Sequence, residues 1–302
     1  MIGIFDSGDG GLSVFREIFK ILPEQKYAYY GDNAFCPYGD KSVEYIRDRA
    51  DRITEFLLNK GAQVIVVACN TATAAAISYL REEYSSDLPG HIKFIGMEPA
   101  VKPAALGTVS GVIGVLATAG TLKGSKYLIT KEKYEDSVRI EERVGQGWVE
   151  LVEKGCFSGP EAEKTVRSCV GPLLEKGADT IVLGCTHYPF LEDVVRKVAG
   201  PGVRIIDPAP AVAKHLVEVL RAEGLIKDSD VFEEGSHAEE LRFRDSDEVR
   251  PADDCSESAS SELCLKPDIK LFSSGDVESL LRVFRHIFPT ASDVGAQTVT
   301  LL

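Results

Sequence analysis

Short apolar runs alternate along this chain with longer stretches whose apolar positions recur every three or four residues. The first run, Ile2–Phe5, breaks into Asp6-Ser7-Gly8-Asp9-Gly10-Gly11, after which Leu12, Phe15, Ile18, Phe19 and Leu22 share one helical face. That pattern predicts a strand, a glycine-rich turn and a helix. A second strand, Lys26–Tyr30, ends in the loop Gly31–Gly39, and a helix carrying Ile46, Ile53, Phe56 and Leu57 follows. Val64-Ile65-Val66-Val67 is apolar throughout, as expected of a parallel strand covered on both faces. Further strands are predicted at Lys93–Gly96, Val112–Leu116, Thr180–Leu183, Val203–Ile206 and Ile269–Leu271, and a last helix over Val277–Phe288. Strands alternating with helices imply an α/β fold built on parallel sheets.

Two passages read as copies. Lys60–Cys69 (KGAQVIVVAC) aligns without a gap on Lys176–Cys185 (KGADTIVLGC) at an offset of 116, and Gly3–Ser7 on Gly114–Thr118 at an offset of 111. Each half then has one strand ending in a small hydroxyl residue and one ending in Cys followed by two polar residues. An internal duplication follows, with two similar parallel-sheet α/β domains facing across an interdomain cleft that holds the site. Residues 1–95 with 205–302 are assigned to the first domain and 96–204 to the second. The segment 227–268 breaks the pattern: it carries fourteen acidic against five basic residues, is rich in Ser, and has little apolar periodicity. It is expected to be an acidic insertion, loosely packed on the surface.

The length of 302 residues suits about two domains. No apolar run approaches the roughly 20 residues that span a bilayer, and no basic segment leads into an apolar one at the N-terminus. A cytoplasmic protein with no membrane partner is expected. The seven cysteines lack C-x-x-C or zinc-type spacing and are expected to be free thiols. Of the net charge of −13, −9 falls in the insertion, and an acidic chain argues against nucleic acid as main partner. A dinucleotide fingerprint would need glycine where Ser13 stands, the Walker pattern is absent, and nothing marks a Schiff-base lysine. No metal, nucleotide or other cofactor is expected.

In open parallel sheets, ligands bind at the carboxyl ends of the strands. Asp6-Ser7, Cys69-Asn70-Thr71, Thr118 and Cys185-Thr186-His187 converge there. A free cysteine ordinarily packs as a small hydrophobe, but Cys69 and Cys185 both stand where an apolar run gives way to polar residues, in equivalent places of the two halves. Two facing thiols could form a disulfide, which a reducing compartment disfavours, or bind a metal, for which further ligands are lacking. They could also move protons on opposite faces of one carbon, as racemisation requires. A thiol of ordinary pKa, about 8.5, serves as base or acid, and the following helix N–H groups favour its thiolate. Asp6 and His187 are placed to relay those protons. The turn Gly8–Gly11 reads either as a tight turn or as a holder of a substrate carboxylate. Glu153 reads as a solvated helix charge and Cys36 as an ambiguous loop residue.

The blocks Ile2–Gly11 (IGIFDSGDGG), Gly31–Gly39 (GDNAFCPYG), Ala68–Thr73 (ACNTAT) and Leu183–Pro189 (LGCTHYP) resemble, in order and spacing, the signature blocks of bacterial glutamate racemases. The resemblance covers the chain apart from 227–268. It implies an isomerase of two domains that interconverts L- and D-glutamate without a cofactor and supplies D-glutamate for peptidoglycan. It further implies that Cys69 acts on the D-enantiomer and Cys185 on the L-enantiomer, assisted by Asp6 and His187. Asp6, Ser7, Tyr38, Gly39, Asn70, Thr71, Thr73, Thr118, Thr186 and His187 are the expected substrate-binding set. The sequence departs from many relatives at Gly145-Gln146-Gly147-Trp148, where they carry a Cys-Pro element upstream of the residue matching Glu153, and at Ala119, where they carry Glu. A racemase acting on another acidic amino acid such as aspartate, and a non-catalytic α/β binding module, are the alternatives. A homodimer is left open.

Overall fold

The computed structural model describes residues 1–84, 91–232, 242–243, 264–265, 267–291 and 293–301. Its strands are β1 (Ile2–Asp6), β2 (Tyr27–Gly31), β3 (Val64–Val67), β4 (Lys93–Ile95), β5 (Val112–Ala117), β6 (Arg139–Val144), β7 (Thr180–Gly184), β8 (Arg204–Ile206), β9 (Arg242–Phe243), β10 (Cys264–Leu265), β11 (Ile269–Ser273) and β12 (Ala296–Thr298). One sheet has the order β12-β11-β2-β1-β3-β4 and a second β6-β5-β7-β8, while β9 and β10 pair with each other. All pairings are parallel.

The order β2-β1-β3-β4 recurs as β6-β5-β7-β8. β1 therefore corresponds to β5 and β3 to β7, the same correspondence as in the repeated sequences. The shared Lys-Gly-Ala also has a structural cause. Gly61 and Gly177 have φ of +92° and +88°, left-handed values that a side chain disfavours. Each ends a helix by returning two N–H groups to its last turn: Gly61 to Leu58 O and Ala62 to Leu57 O, then Gly177 to Leu174 O and Ala178 to Leu173 O. The same cap thus launches β3 and β7, the two strands that end in cysteine.

β1, β3 and β7 are buried along their whole length, which is why their sequences are continuously apolar. β6 was not predicted, because it is an edge strand of sequence RIEERV with partly exposed side chains. The expected domain break at 205 falls inside β8, whose three residues pair with β7. Beyond β8, the helix Ala209–Ala222 packs on the helix Leu12–Ile21. A single apolar cluster includes Ile4 and Phe15 of one half and Trp148, Leu183 and Tyr188 of the other. At the start of the acidic segment, Val231 packs on this core and Phe232 N–H donates to Ile21 O at 2.9 Å. Residues 233–241, 244–263 and 266 lie outside the described residues, and the expectation of loose packing falls there.

Candidate active site

Asp6 ends β1, and Cys69 and Cys185 follow β3 and β7, so the parallel sheets bring these groups to their carboxyl ends. Asp6 is fully buried and ties the two halves together. Its Oδ1 accepts from Ser7 N–H (2.6 Å) and the Ser7 hydroxyl (3.2 Å). Its Oδ2 accepts from Gly11 N–H (2.5 Å) and, from the other half, the Thr186 hydroxyl (3.0 Å). The Cys69 thiol donates to Ser7 Oγ at 3.7 Å, and Ala72 N–H donates to Cys69 Sγ at 3.4 Å. A hydrogen-bonded path runs from Cys69 through Ser7 to Asp6. Burial raises the Asp6 carboxyl above its usual range, against the pull of His187 and its own hydrogen bonds. Burial, reinforced by the Asp6 charge, pushes the Cys69 thiol well above the usual thiol range.

The second thiol has a basic partner instead. His187 Nδ1 lies 3.8 Å from Cys185 Sγ, and its Nε2 lies 2.6 Å from Glu153 Oε1. Burial alone would lower His187, but its contacts with Cys185, Cys36 and Glu153 outweigh that and hold it well above its usual value. Burial would likewise raise Glu153, but its bonds to His187 and to Asp9 N–H hold it at about 2. The consistent state is a His187 imidazolium between the Glu153 carboxylate and Cys185 Sγ.

Glu153 is therefore not the solvated charge that its sequence suggests. Trp148, fully buried, stacks edge-on against Tyr188 with ring centroids 4.7 Å apart, and so anchors the helix Trp148–Glu153 beside His187. Glu153 Oε1 also accepts from Asp9 N–H at 3.0 Å, and Oε2 from Asn33 Nδ2 at 3.3 Å. Asn33 and the Ser279 hydroxyl in turn donate to the Asp9 carboxylate at 2.6 and 2.9 Å. Sequence reading missed Asp9, Asn33 and Ser279 altogether. Their only local signal is Asp9, an acid set among three glycines and a serine (Ser7, Gly8, Gly10 and Gly11).

The glycine turn holds the chain's own carboxylates: Gly11 N–H goes to Asp6 and Asp9 N–H to Glu153. Glycine is required for close approach, since a Cβ on Gly10 would lie 2.3 Å from His187 Nδ1. Thr71 and Thr118 meet across the two halves with hydroxyls 2.8 Å apart, and Gly39 faces Thr118. Tyr38 donates its hydroxyl to Asp32 at 2.5 Å, and Arg49 grips the same carboxylate with bonds of 2.9 and 2.8 Å. Thr73 stands apart from the expected binding set: its hydroxyl donates to Val67 O (3.2 Å) and accepts from Met97 N–H (3.1 Å), joining β3 to the chain beyond β4. Asn70 is different again. Its amide nitrogen and oxygen are both buried with no partner. Near Thr71 and Gly39 opens a recess of about 540 Å³ whose wall includes Lys41, Arg47 and Lys123.

Among the described residues, no helix is long and apolar enough to cross a membrane. The profile of the Asp/Glu/hydantoin racemase family matches residues 2–216. The glutamate racemase of Methylococcus capsulatus is 49% identical over 225 residues, 74% of this chain and 81% of that protein. That of Pseudomonas aeruginosa strain PAO1 is 45% identical over 225 residues, 74% of this chain and 83% of that protein. Among solved structures, a glutamate racemase isoform from Bacillus anthracis superposes with a TM-score of 0.75 at 29% identity, covering 100% of this chain and 97% of that one. Escherichia coli glutamate racemase, solved with L-glutamate and the activator UDP-MurNAc-ala, gives 0.74 at 29% identity, covering 100% and 98%.

Proposed function

The chain belongs to the Asp/Glu/hydantoin racemase family, and we propose that it is a glutamate racemase in which Cys69 and Cys185 exchange the α-proton on opposite faces of the substrate. The carrying observation is the pair of buried cysteines at equivalent strand ends of a duplicated fold, each with its own proton partner. Cys185, with His187 Nδ1 3.8 Å from its sulfur, takes the α-proton of L-glutamate. Cys69, held as a thiol by burial and Asp6, gives a proton to the other face. Asp6 is the acceptor at the end of the hydrogen-bonded path that leads from Cys69 through the Ser7 hydroxyl, and so the group that positions and relays the Cys69 proton. D-glutamate reacts by the reverse sequence.

Asn70 supports an amino-acid substrate. A buried amide with neither donor nor acceptor satisfied is costly, by about 1–3 kcal/mol per group. An α-carboxylate and an α-ammonium supply an acceptor and a donor together. Ser7, Gly39, Thr71, Thr118 and Thr186 surround the remaining polar groups. The recess lined by Lys41, Arg47 and Lys123 suits the approach of a ligand with two carboxylates. The product, D-glutamate, serves peptidoglycan synthesis in the cytoplasm.

The test is chiral chromatography of dialysed, chelator-treated protein offered L-glutamate, D-glutamate or aspartate. Each glutamate enantiomer should yield the racemate at full rate, with aspartate unchanged. No conversion, preference for aspartate, or activity restored only by added metal or pyridoxal phosphate would refute the proposal.

A further inference from the structure

Cys36 takes no part in the proton transfer described above, yet it sits against the groups that do. Its Sγ lies 3.9 Å from Glu153 Oε1, which itself lies 2.6 Å from His187 Nε2. The three ligand atoms, one sulfur, one oxygen and one nitrogen, all fall within 4.8 Å of one another. They come from three separate parts of the chain, and both Cys36 and Glu153 are partly open to solvent, so an ion has a way in. We propose that Cys36, Glu153 and His187 form a binding site for a divalent cation of the zinc class, and that filling it switches the enzyme off.

The donor set selects the ion. Thiolate and imidazole suit zinc-like cations, whereas magnesium and calcium demand oxygen ligands. Zinc–ligand bonds of roughly 2.0–2.3 Å in a tetrahedron place neighbouring donor atoms roughly 3.3–3.6 Å apart. The 3.9 Å Cys36–Glu153 separation is close to that already, and the 2.6 Å His187–Glu153 contact opens by under about 1 Å. Three protein ligands leave the fourth position to water. Binding releases the Cys36 thiol proton and the His187 Nε2 proton to solvent, so affinity rises with pH. A metal on Nε2 leaves one proton on Nδ1, facing Cys185. Opening the His187–Glu153 contact to seat the ion also moves the ring that lies 3.8 Å from Cys185 Sγ, and so displaces the partner of the second thiol.

The inhibitory half of this inference rests on the role given to His187 above; the binding half does not, and the two are read separately. Cobalt(II) is titrated into metal-free protein and followed by its thiolate charge-transfer band in the near ultraviolet. One equivalent should bind to wild type and to Cys185→Ser, while Cys36→Ser and Cys36→Ala should lose the band. Absence of the band in wild type, or a band that survives in both Cys36 variants and vanishes in Cys185→Ser, overturns the site. Zinc is then added to racemising enzyme. Measured against its own metal-free rate, Cys36→Ser should need at least about tenfold more zinc than wild type for half-inhibition, the loss that even an outer-shell partner of a metal causes. A cobalt band in a wild-type enzyme that zinc does not inhibit would keep the site and overturn the switch.

Discussion

Replacing Glu153 by Gln removes one charge while retaining an oxygen that can accept from His187 Nε2 and Asp9 N–H. A carboxyl lowered from 4.5 to about 2 has its charged form stabilised by about 3 kcal/mol. That agrees with the roughly 1.5–3 kcal/mol of a charge-assisted hydrogen bond, and at 22% side-chain exposure Glu153 is screened only in part. Because Glu153 is depressed, its contribution is present above pH 4.5 and is lost as pH falls through about 2. Because His187 is raised, its contribution is present below 6.5 and is lost as pH rises through its elevated value. Both therefore act fully at about pH 5–6.5. Glu153→Gln should lose about 2–3 kcal/mol there, equivalent to about 3–5 °C in Tm for a protein of this size. The deficit should shrink at alkaline pH, and kcat should fall with KM little changed. Paired thermal unfolding curves from pH 5 to 10 measure this. A deficit constant across that range, or none at pH 6, would show that the carboxylate does not hold an imidazolium.

The two thiols are separable. Cys69→Ser and Cys185→Ser should each lose racemisation by at least about a hundredfold, the lower range of general acid–base contributions. On a β-chloro analogue of glutamate that eliminates after one proton abstraction, Cys69→Ser should retain elimination from the L-form and Cys185→Ser from the D-form; equal loss of both eliminations in both variants would sink the assignment. In D₂O, early wild-type turnover should place deuterium in the product enantiomer, as mass spectrometry of separated enantiomers can check. Asn70→Ala should raise KM about ten- to a hundredfold, from the roughly 1–3 kcal/mol of a buried polar group left unmatched. The empty variant should be at least as stable as wild type, since its unpartnered amide is gone. A lower Tm with unchanged KM would make Asn70 a structural residue instead.

Much of the frame could be read along the chain, because what sets it is local. Apolar runs marked β1, β3 and β7, and period-3.6 patterning marked the helix Leu12–Ile21. The Lys-Gly-Ala cap, needing glycine at positive φ, made the duplication visible as repeated letters. With the duplication came Cys69 and Cys185 as equivalent strand-end residues. The edge strand β6 escaped, since partial exposure removes the apolar signal. The expected domain break at 205 falls within β8, a three-residue strand with one exposed position.

What only the tertiary structure decided is which group serves which thiol. Glu153 meets Asp9 across 144 positions of sequence and His187 across 34, and Thr186 meets Asp6 across 180. No spacing rule connects residues that far apart. Their meeting depends on the carboxyl ends of two separate sheets being brought together and on Trp148 docking on Tyr188. The same holds for Asn70, whose polarity is plain in the sequence but whose lack of a partner is a property of everything packed around it. Periodicity and caps are set by neighbours along the chain, whereas protonation state and hydrogen-bond satisfaction are set by burial and by neighbours in space.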